Sequence, residues 1–297
     1  MTILQIAFLA ACTALVVWAA WKSFSRPKKQ RYLYHVPTTK TSLISEIKYS
    51  PRQKCYKLHG NSLLPVSEAV DLFFEDFDKE RHASLKARQN GKSVDEVIDE
   101  WNIAQERSKQ KGLFLRSEIL RYFIGAPLKQ EFNFRYVGKT ASANETIDVN
   151  KEMKLFVQSV ADNELKQFRI GQLIADLDLR LAGCVTFIGK YDDGYEICDW
   201  KRAPGITNAE GSPITVNQYG RKGINGYETH DDTPFWRYTL QLNLYRAILE
   251  RNYHIRILRI TLFDVNPQKE TYIRIPIPFL GNELKIILKN ISTYRLR

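Results

Sequence analysis

The stretch LAGCVTFIGKYDDGYEICDWKR, Leu181 to Arg202, decides how this chain folds. Two apolar runs flank the turn signal Asp192-Asp193-Gly194, the pattern of a β-hairpin with strands at Leu179–Ile188 and Gly194–Trp200. Strand alternation sends Tyr195, Ile197, Asp199 and Lys201 to one face and Glu196, Cys198, Trp200 and Arg202 to the other. Asp199 and Lys201 therefore project together. Metal-dependent phosphodiester cleavage can use such a pair: the acid holds a divalent cation, and the ammonium orients water and offsets charge on the phosphate. Taken alone the pattern is weak, since an acid-x-Lys triplet arises by chance about once per hundred residues and its usual meaning is a solvated ion pair.

Outward from the hairpin, the chain alternates helical and extended patterns. Lys54–Leu58 and Ser62–Val66, around Gly60-Asn61, read as a short hairpin leading into an apolar helix over Val66–Phe77. Ser93–Leu120 predicts a long helix with Ser93 and Glu96 as a capping box and Val97, Trp101, Ala104 and Ser108 along one side. Pro127 closes that region. Further strands are expected at Glu131–Tyr136, Phe168–Ala175, Ile255–Val265 and Thr271–Pro278, with helices at Phe235–Asn252 and Asn282–Ile291. The order predicts an α/β fold, a mixed sheet flanked by helices. Three segments are expected: an anchor over 1–21, a basic juxtamembrane tether over 22–50, and a domain over 51–297 whose 51–130 part is helical and whose 131–297 part carries the sheet.

The chain has 297 residues and a formal net charge of +11, but the charge is localised. Ten bases between Lys22 and Gly60 face one acid, Glu46, which leaves 34 bases against 32 acids over 61–297. The high isoelectric point is thus poor evidence for a nucleic-acid partner. Ile3–Trp21 is interrupted only by Gln5 and Thr13, and its nineteen residues are long enough to cross a ~30 Å hydrocarbon layer as a helix. Trp18 and Trp21 suit the interface. Lys22, Arg26, Lys28, Lys29 and Arg31 hold the following side in the cytosol by the positive-inside rule, and the basic stretch suits anionic head groups. The expected location is a single-pass membrane protein with its folded part on the cytoplasmic side. Cys55, Cys184 and Cys198 show no CxxC spacing, so no zinc site, disulfide framework or iron–sulfur cluster is expected.

Three motifs in series, Leu181-Ala182-Gly183, then Asp199-Trp200-Lys201, then Gln241-Leu242-Asn243-Leu244-Tyr245, resemble the PD-(D/E)XK nuclease superfamily. They look most like its RecB-type exonuclease branch, with an Ala-Gly strand, an Asp-x-Lys strand and a QxxxY helix. Weaker similarity lies upstream at Tyr56-Lys57-Leu58-His59-Gly60 and at Lys111–Arg116, and the coverage runs from about Gln53 to the carboxyl end. The resemblance implies a restriction-endonuclease-like sheet, Mg²⁺ or Mn²⁺ as cofactor and DNA, single- or double-stranded, as partner. It makes Asp199 a metal-binding acid, Lys201 the catalytic lysine, and Gln241 with Tyr245, one helical turn apart, the pair contacting phosphate or ordering the site.

The departures weigh against hydrolysis. Where the branch carries acids or histidine, this chain has Thr186, Leu120 and Gly171, with Arg116 at the histidine place, so Asp199 is the sole metal-binding acid remaining. Magnesium usually takes one or two carboxylates in near-octahedral coordination, and a guanidinium beside a lone acid opposes a cation while favouring a phosphate. Asp176 and Asp178 are read as a solvated turn, Glu118 as pointing elsewhere on its helix, and His230-Asp231-Asp232 as polarity at the start of a helix. The expected function is a degenerate, membrane-tethered nuclease-like protein that binds nucleic acid or a partner protein, with Lys201, Arg202 and Arg116 on phosphate. The alternative is an active metal-dependent deoxyribonuclease using Asp199 and Lys201. Deleting residues 1–21 is expected to move the protein from the membrane pellet to the soluble fraction on sedimentation; full-length chain that is already soluble overturns the span.

Overall fold

The computed structural model describes residues 47–50, 53, 55–58 and 60–294. The expected span at 3–21 and most of the tether lie outside the described residues, within which no helix is long and apolar enough to cross a membrane. The strands are β1 (Lys48–Ser50), β2 (Cys55–Leu58), β3 (Asn61–Pro65), β4 (Glu131–Val137), β5 (Ser142–Asp148), β6 (Gln167–Asp176), β7 (Leu181–Lys190), β8 (Tyr195–Lys201), β9 (Ile257–Asp264) and β10 (Ile273–Pro276). The helices are α1 (Val66–Asp71), α2 (Lys79–Asn90), α3 (Val94–Phe123), α4 (Asn150–Asp162), α5 (Pro234–Tyr253) and α6 (Asn282–Thr293).

Eight strands form one mixed sheet in the order β1-β2-β3-β7-β8-β9-β10, with β6 paired to β7, and β4–β5 make a separate hairpin. The fold is α/β, as the alternation of patterns predicts. The segment before residue 130 is not only helical, because β1 to β3 extend the sheet and β3 runs parallel to β7. The turn at Asp192–Gly194 joins β7 and β8 in antiparallel register, with Phe187 opposite Cys198 and Lys190 opposite Tyr195. β8 then pairs in parallel with β9, Asp199 beside Leu262. A parallel neighbour requires a crossover, which α5 supplies.

Two cores sandwich the sheet. On one side α1, α5 and α6 pack Val66, Leu240, Leu244 and Ile287 against Leu181, Ile197 and Ile260. On the other, Leu115 and Ile119 of α3 and Met153 and Phe156 of α4 cover Phe187, Cys198, Trp200 and Phe263. Trp200 stacks on Phe263 at 5.3 Å, meets Phe156 edge-on, and donates its indole N–H to Ser159 Oγ at 2.8 Å. Burying each such ring contributes roughly 1.5–3 kcal/mol, and the satisfied N–H removes the cost of an orphaned donor.

Several expectations need correction. The helix from Val66 ends at Asp71, because Phe74 leaves it to bridge Gly223, and a second helix, α2, follows. The Ser93 capping box is present, but Ala104 and Ser108 are exposed. Val97 packs on Ala83 and Ala87 of α2, whereas Leu115 and Ile119 meet the sheet core, so no single stripe serves the 30-residue helix. β5 and α4 are elements beyond those the sequence predicts. β5 is a mostly exposed polar strand with little apolar alternation to find. Asp176 is buried rather than solvated: it accepts the Leu179 N–H at 2.9 Å and bonds from Arg251 and Asn252 at 3.0 and 2.8 Å, tying the β6–β7 turn to the end of α5.

α5 starts at Thr233, whose hydroxyl accepts the Trp236 N–H, with Pro234 in its first turn. Gly183 lets it approach β7: a Cβ there would fall 2.5 Å from Cε1 of Tyr245 and 3.3 Å from Val66 Cγ2. Gly183→Ala is expected to destabilise the protein by about 1–3 kcal/mol through overpacking, read by urea unfolding. Wild-type stability in that variant would show that the ring moves aside freely.

Candidate functional site

β7 pairs with β6 along one edge throughout, but its other edge is divided. Leu181 and Ala182 pair with β3, and Phe187–Lys190 pair with β8. Between them, Gly183–Thr186 pair with neither. Such a split leaves backbone groups needing partners, and a carbonyl buried without one is costly. Arg116 of α3 fills the gap, donating from Nη2 to the Cys184 carbonyl at 2.7 Å.

The expected residues gather at this split. The Thr186 hydroxyl donates to Asp199 Oδ1 at 2.8 Å, the Trp200 N–H reaches the same oxygen at 3.0 Å, and Lys201 Nζ lies 2.9 Å from Oδ2. Both carboxylate oxygens are thus engaged. The Asp199 side chain is 7% exposed and that of Lys201 24%, so the ion pair is screened far less than the solvated pair the triplet ordinarily signals. Tyr245 and Gln241 reach the cluster from α5, Gln241 Nε2 donating to the Tyr245 hydroxyl at 3.1 Å. Tyr238, one turn earlier on the same face, lies under Lys201, whose Nζ is 5.0 Å from the ring centroid.

Electrostatics at the site favour an anion. Burial opposes the charge on Lys201, but Asp199 and then Tyr238 outweigh it and hold the pKa above the ordinary lysine value. Burial likewise opposes the Arg116 charge, while Cys184, Asp199, Tyr245 and Tyr56 raise its pKa on balance. Both cations stay charged through neutral pH. Burial pushes the Tyr245 hydroxyl up, and Lys201 and Arg116 partly counter it. Two cations around one carboxylate leave a net charge of +1.

The other expected positions are explained by packing. Gly171 lies between the register pairs Ile170–Phe187 and Gln172–Val185, opposite Thr186. Its φ of +56° suits glycine, and a Cβ there would meet Leu120 Cδ2 at 3.3 Å. Gly171 thus lies under Leu120 of α3 and opposite Thr186 of β7. Arg202 lies on the opposite face, its Nε 3.0 Å from Glu152 Oε1 on α4. Glu118 is buried away from the cluster, accepting the Lys129 N–H at 2.7 Å. Asp231 and Asp232 pair with Lys222, Arg221 and Arg237 around the start of α5.

The donor set does not fit a divalent cation. Asp199 has its two oxygens already bonded to a hydroxyl, an amide and an ammonium, and the Arg116 guanidinium stands at the same split. Asp264, beside Lys201 in the β8–β9 register, is buried with its oxygens on the Thr207 hydroxyl and the Asn266 N–H. Among the described residues no group of three or more His, Cys, Asp or Glu side chains is arranged to hold a metal ion. Tyr238 and the Cys184 carbonyl join the site beyond the expected residues. Tyr238 was accessible from its spacing, since 238, 241 and 245 follow the i, i+3, i+7 rule. The carbonyl was not, because backbone exposure at a split sheet edge leaves no mark on residue type.

Comparison with models of known protein families finds no match. Comparison with the sequences of curated proteins finds none either.

Millimolar Mn²⁺ is expected to leave the thermal unfolding midpoint unmoved, since a ligand bound only weakly adds little stability at that concentration. A rise that Asp199→Asn abolishes would show an ion seated on Asp199.

Proposed function

We propose that this chain is a PD-(D/E)XK nuclease-like protein with a restriction-endonuclease-like sheet, in which metal-dependent hydrolysis has given way to phosphate binding. The observation that carries the reading is the cluster of Arg116, Lys201 and Asp199, with a net positive charge at a split in the sheet. In the resemblance a cation sits beside the strand acid and receives phosphate; here fixed protein cations take that place. The order of the Ala-Gly strand, the Asp-x-Lys strand and the QxxxY helix supports the same reading, since the three are spatial neighbours.

The chemistry available to this site is binding. A phosphodiester carries one negative charge, matching the net charge of the cluster. Lys201 and the free donors of Arg116 supply charge-assisted hydrogen bonds, and Gln241 and Tyr245 order the wall behind them. Arg202 is left out because it is paired with Glu152 on the other face. In this proposal the partner is nucleic acid, and residues 3–21 tether the module to a membrane with its site on the cytoplasmic side.

The full chain with Mg²⁺ or Mn²⁺ is expected to degrade linear single- or double-stranded DNA no faster than a Lys201→Ala control. It is also expected to bind DNA with an affinity that falls as salt rises, and Lys201→Ala should reduce the salt slope by about one. Metal-dependent digestion lost on that substitution would restore the active nuclease. Binding indifferent both to salt and to Lys201 would remove nucleic acid from this surface.

A further inference from the structure

Lys201 ends β8, and its backbone is fixed: it lies beside Asp264 in the parallel register, and its carbonyl accepts the Val265 N–H at 2.8 Å. The free part is the side chain, a flexible four-carbon stem whose ordering costs rotamer entropy. Asp199 and Tyr238 hold its end. Asp199 Oδ2 is 2.9 Å from Nζ, and the centroid of the Tyr238 ring is 5.0 Å from the same atom. Tyr238 is anchored through both of its neighbours in α5: Arg237 bonds Asp232 at 2.6 Å and Asp71 at 2.8 Å, and Thr239 is fully buried. Burial raises the Tyr238 pKa, Lys201 counters it and Asp199 and Asp264 add to it, so at neutral pH the ammonium rests on a neutral phenol.

The two holders respond differently to an anion. Asp199 carries a full negative charge and repels a phosphate, which must therefore reach Lys201 from the side away from the carboxylate. A lysine held by Asp199 alone would give up its only contact on turning to the ligand. The ring attracts the cation through its quadrupole and carries no net charge, so it holds the ammonium without repelling the phosphate. At 24% exposure the Lys201 side chain remains within reach of a ligand.

We propose that Tyr238 is a positioning residue for phosphate binding: its ring is the seat on which the Lys201 ammonium stays while Asp199 and the ligand phosphate share it. This rests on the nucleic-acid reading above and adds the residue through which Lys201 is kept ready for phosphate.

Fluorescence anisotropy of the full chain with a labelled thymidine oligonucleotide tests it by a double-mutant cycle. Tyr238→Leu is expected to bind about fivefold more weakly than wild type, the scale of a partly desolvated cation–π contact, and Tyr238→Phe to stay within about twofold. In a Lys201→Ala background Tyr238→Leu should cost nothing further, which a merely structural tyrosine would not reproduce. Wild-type affinity in Tyr238→Leu, a loss in Tyr238→Phe as large as in Tyr238→Leu, or the same fivefold loss in the Lys201→Ala background overturns the seat. A second measurement does not depend on the folding of the leucine variant. Lysines of the wild-type chain are reductively methylated with carbon-13, which keeps their charge, and the Lys201 resonance is identified by its absence from Lys201→Arg. Ring current is expected to shift it upfield both before and after the oligonucleotide is added; an unshifted resonance in either state overturns the seat. The two proposals fail separately: if Lys201→Ala weakens binding but the Tyr238 outcomes fail, only the seat falls. If Lys201→Ala binds as wild type does, the nucleic-acid reading of this surface falls and the seat with it.

Discussion

A strand has two edges, and β7 gives one of them to two different partners. β3 takes its beginning in parallel and β8 takes its end antiparallel, so the four residues from Gly183 to Thr186 face a gap. Backbone polar groups in such a gap must be met by something other than a strand. The Arg116 guanidinium meets the Cys184 carbonyl, and that one bond brings a fixed positive charge from α3 to the place where Asp199, Lys201, Thr186 and Tyr245 already converge. The architecture of the sheet and the electrostatics of the site are consequences of the same divergence.

The site is a balanced group of charges in which no member is independent. Asp199 is mostly buried, and removing either of its neighbours would leave charge without compensation in a medium that screens poorly. Thr186 keeps the carboxylate in place with a neutral donor, where a second acid would repel it. Leu120 packs over Gly171, where a Cβ would meet its side chain at 3.3 Å. Both Asp199 oxygens are engaged by Thr186, the Trp200 N–H and Lys201, and the Arg116 guanidinium stands at the same split.

Behind the site, rigidity comes from packing. Trp200, between Asp199 and Lys201, is held by Phe156, Phe187 and Phe263 and by its bond to Ser159, so the strand that presents the ion pair has little freedom. On the other face, Asn243 of α5 donates to the Pro278 carbonyl and accepts the Leu280 N–H, fixing the helix that carries Gln241 and Tyr245. Gly183 sets how closely that helix can approach. The geometry of a half-buried polar cluster thus depends on apolar contacts several residues away.

Much of this was legible in the chain itself because its signals are local. The β7–β8 hairpin follows from a turn flanked by apolar runs, the pairing of Asp199 with Lys201 from the two-residue period of a strand, and the start of α3 from the Ser93–Glu96 box. The four-residue spacing of Gln241 and Tyr245 likewise requires only a helix. Nothing local reveals that β5 is a strand, that Asp176 is buried against Arg251, that Arg202 binds Glu152, or that Leu120 rests on Gly171. These depend on which segments, tens of residues apart, come to share a volume. Above all, Arg116 and Cys184 are 68 residues apart, and their contact exists only because the sheet divides between them. Residue type and period determine which side chains a segment can offer; the packing of the whole chain decides which backbone groups are left without partners, and so where a charge must go.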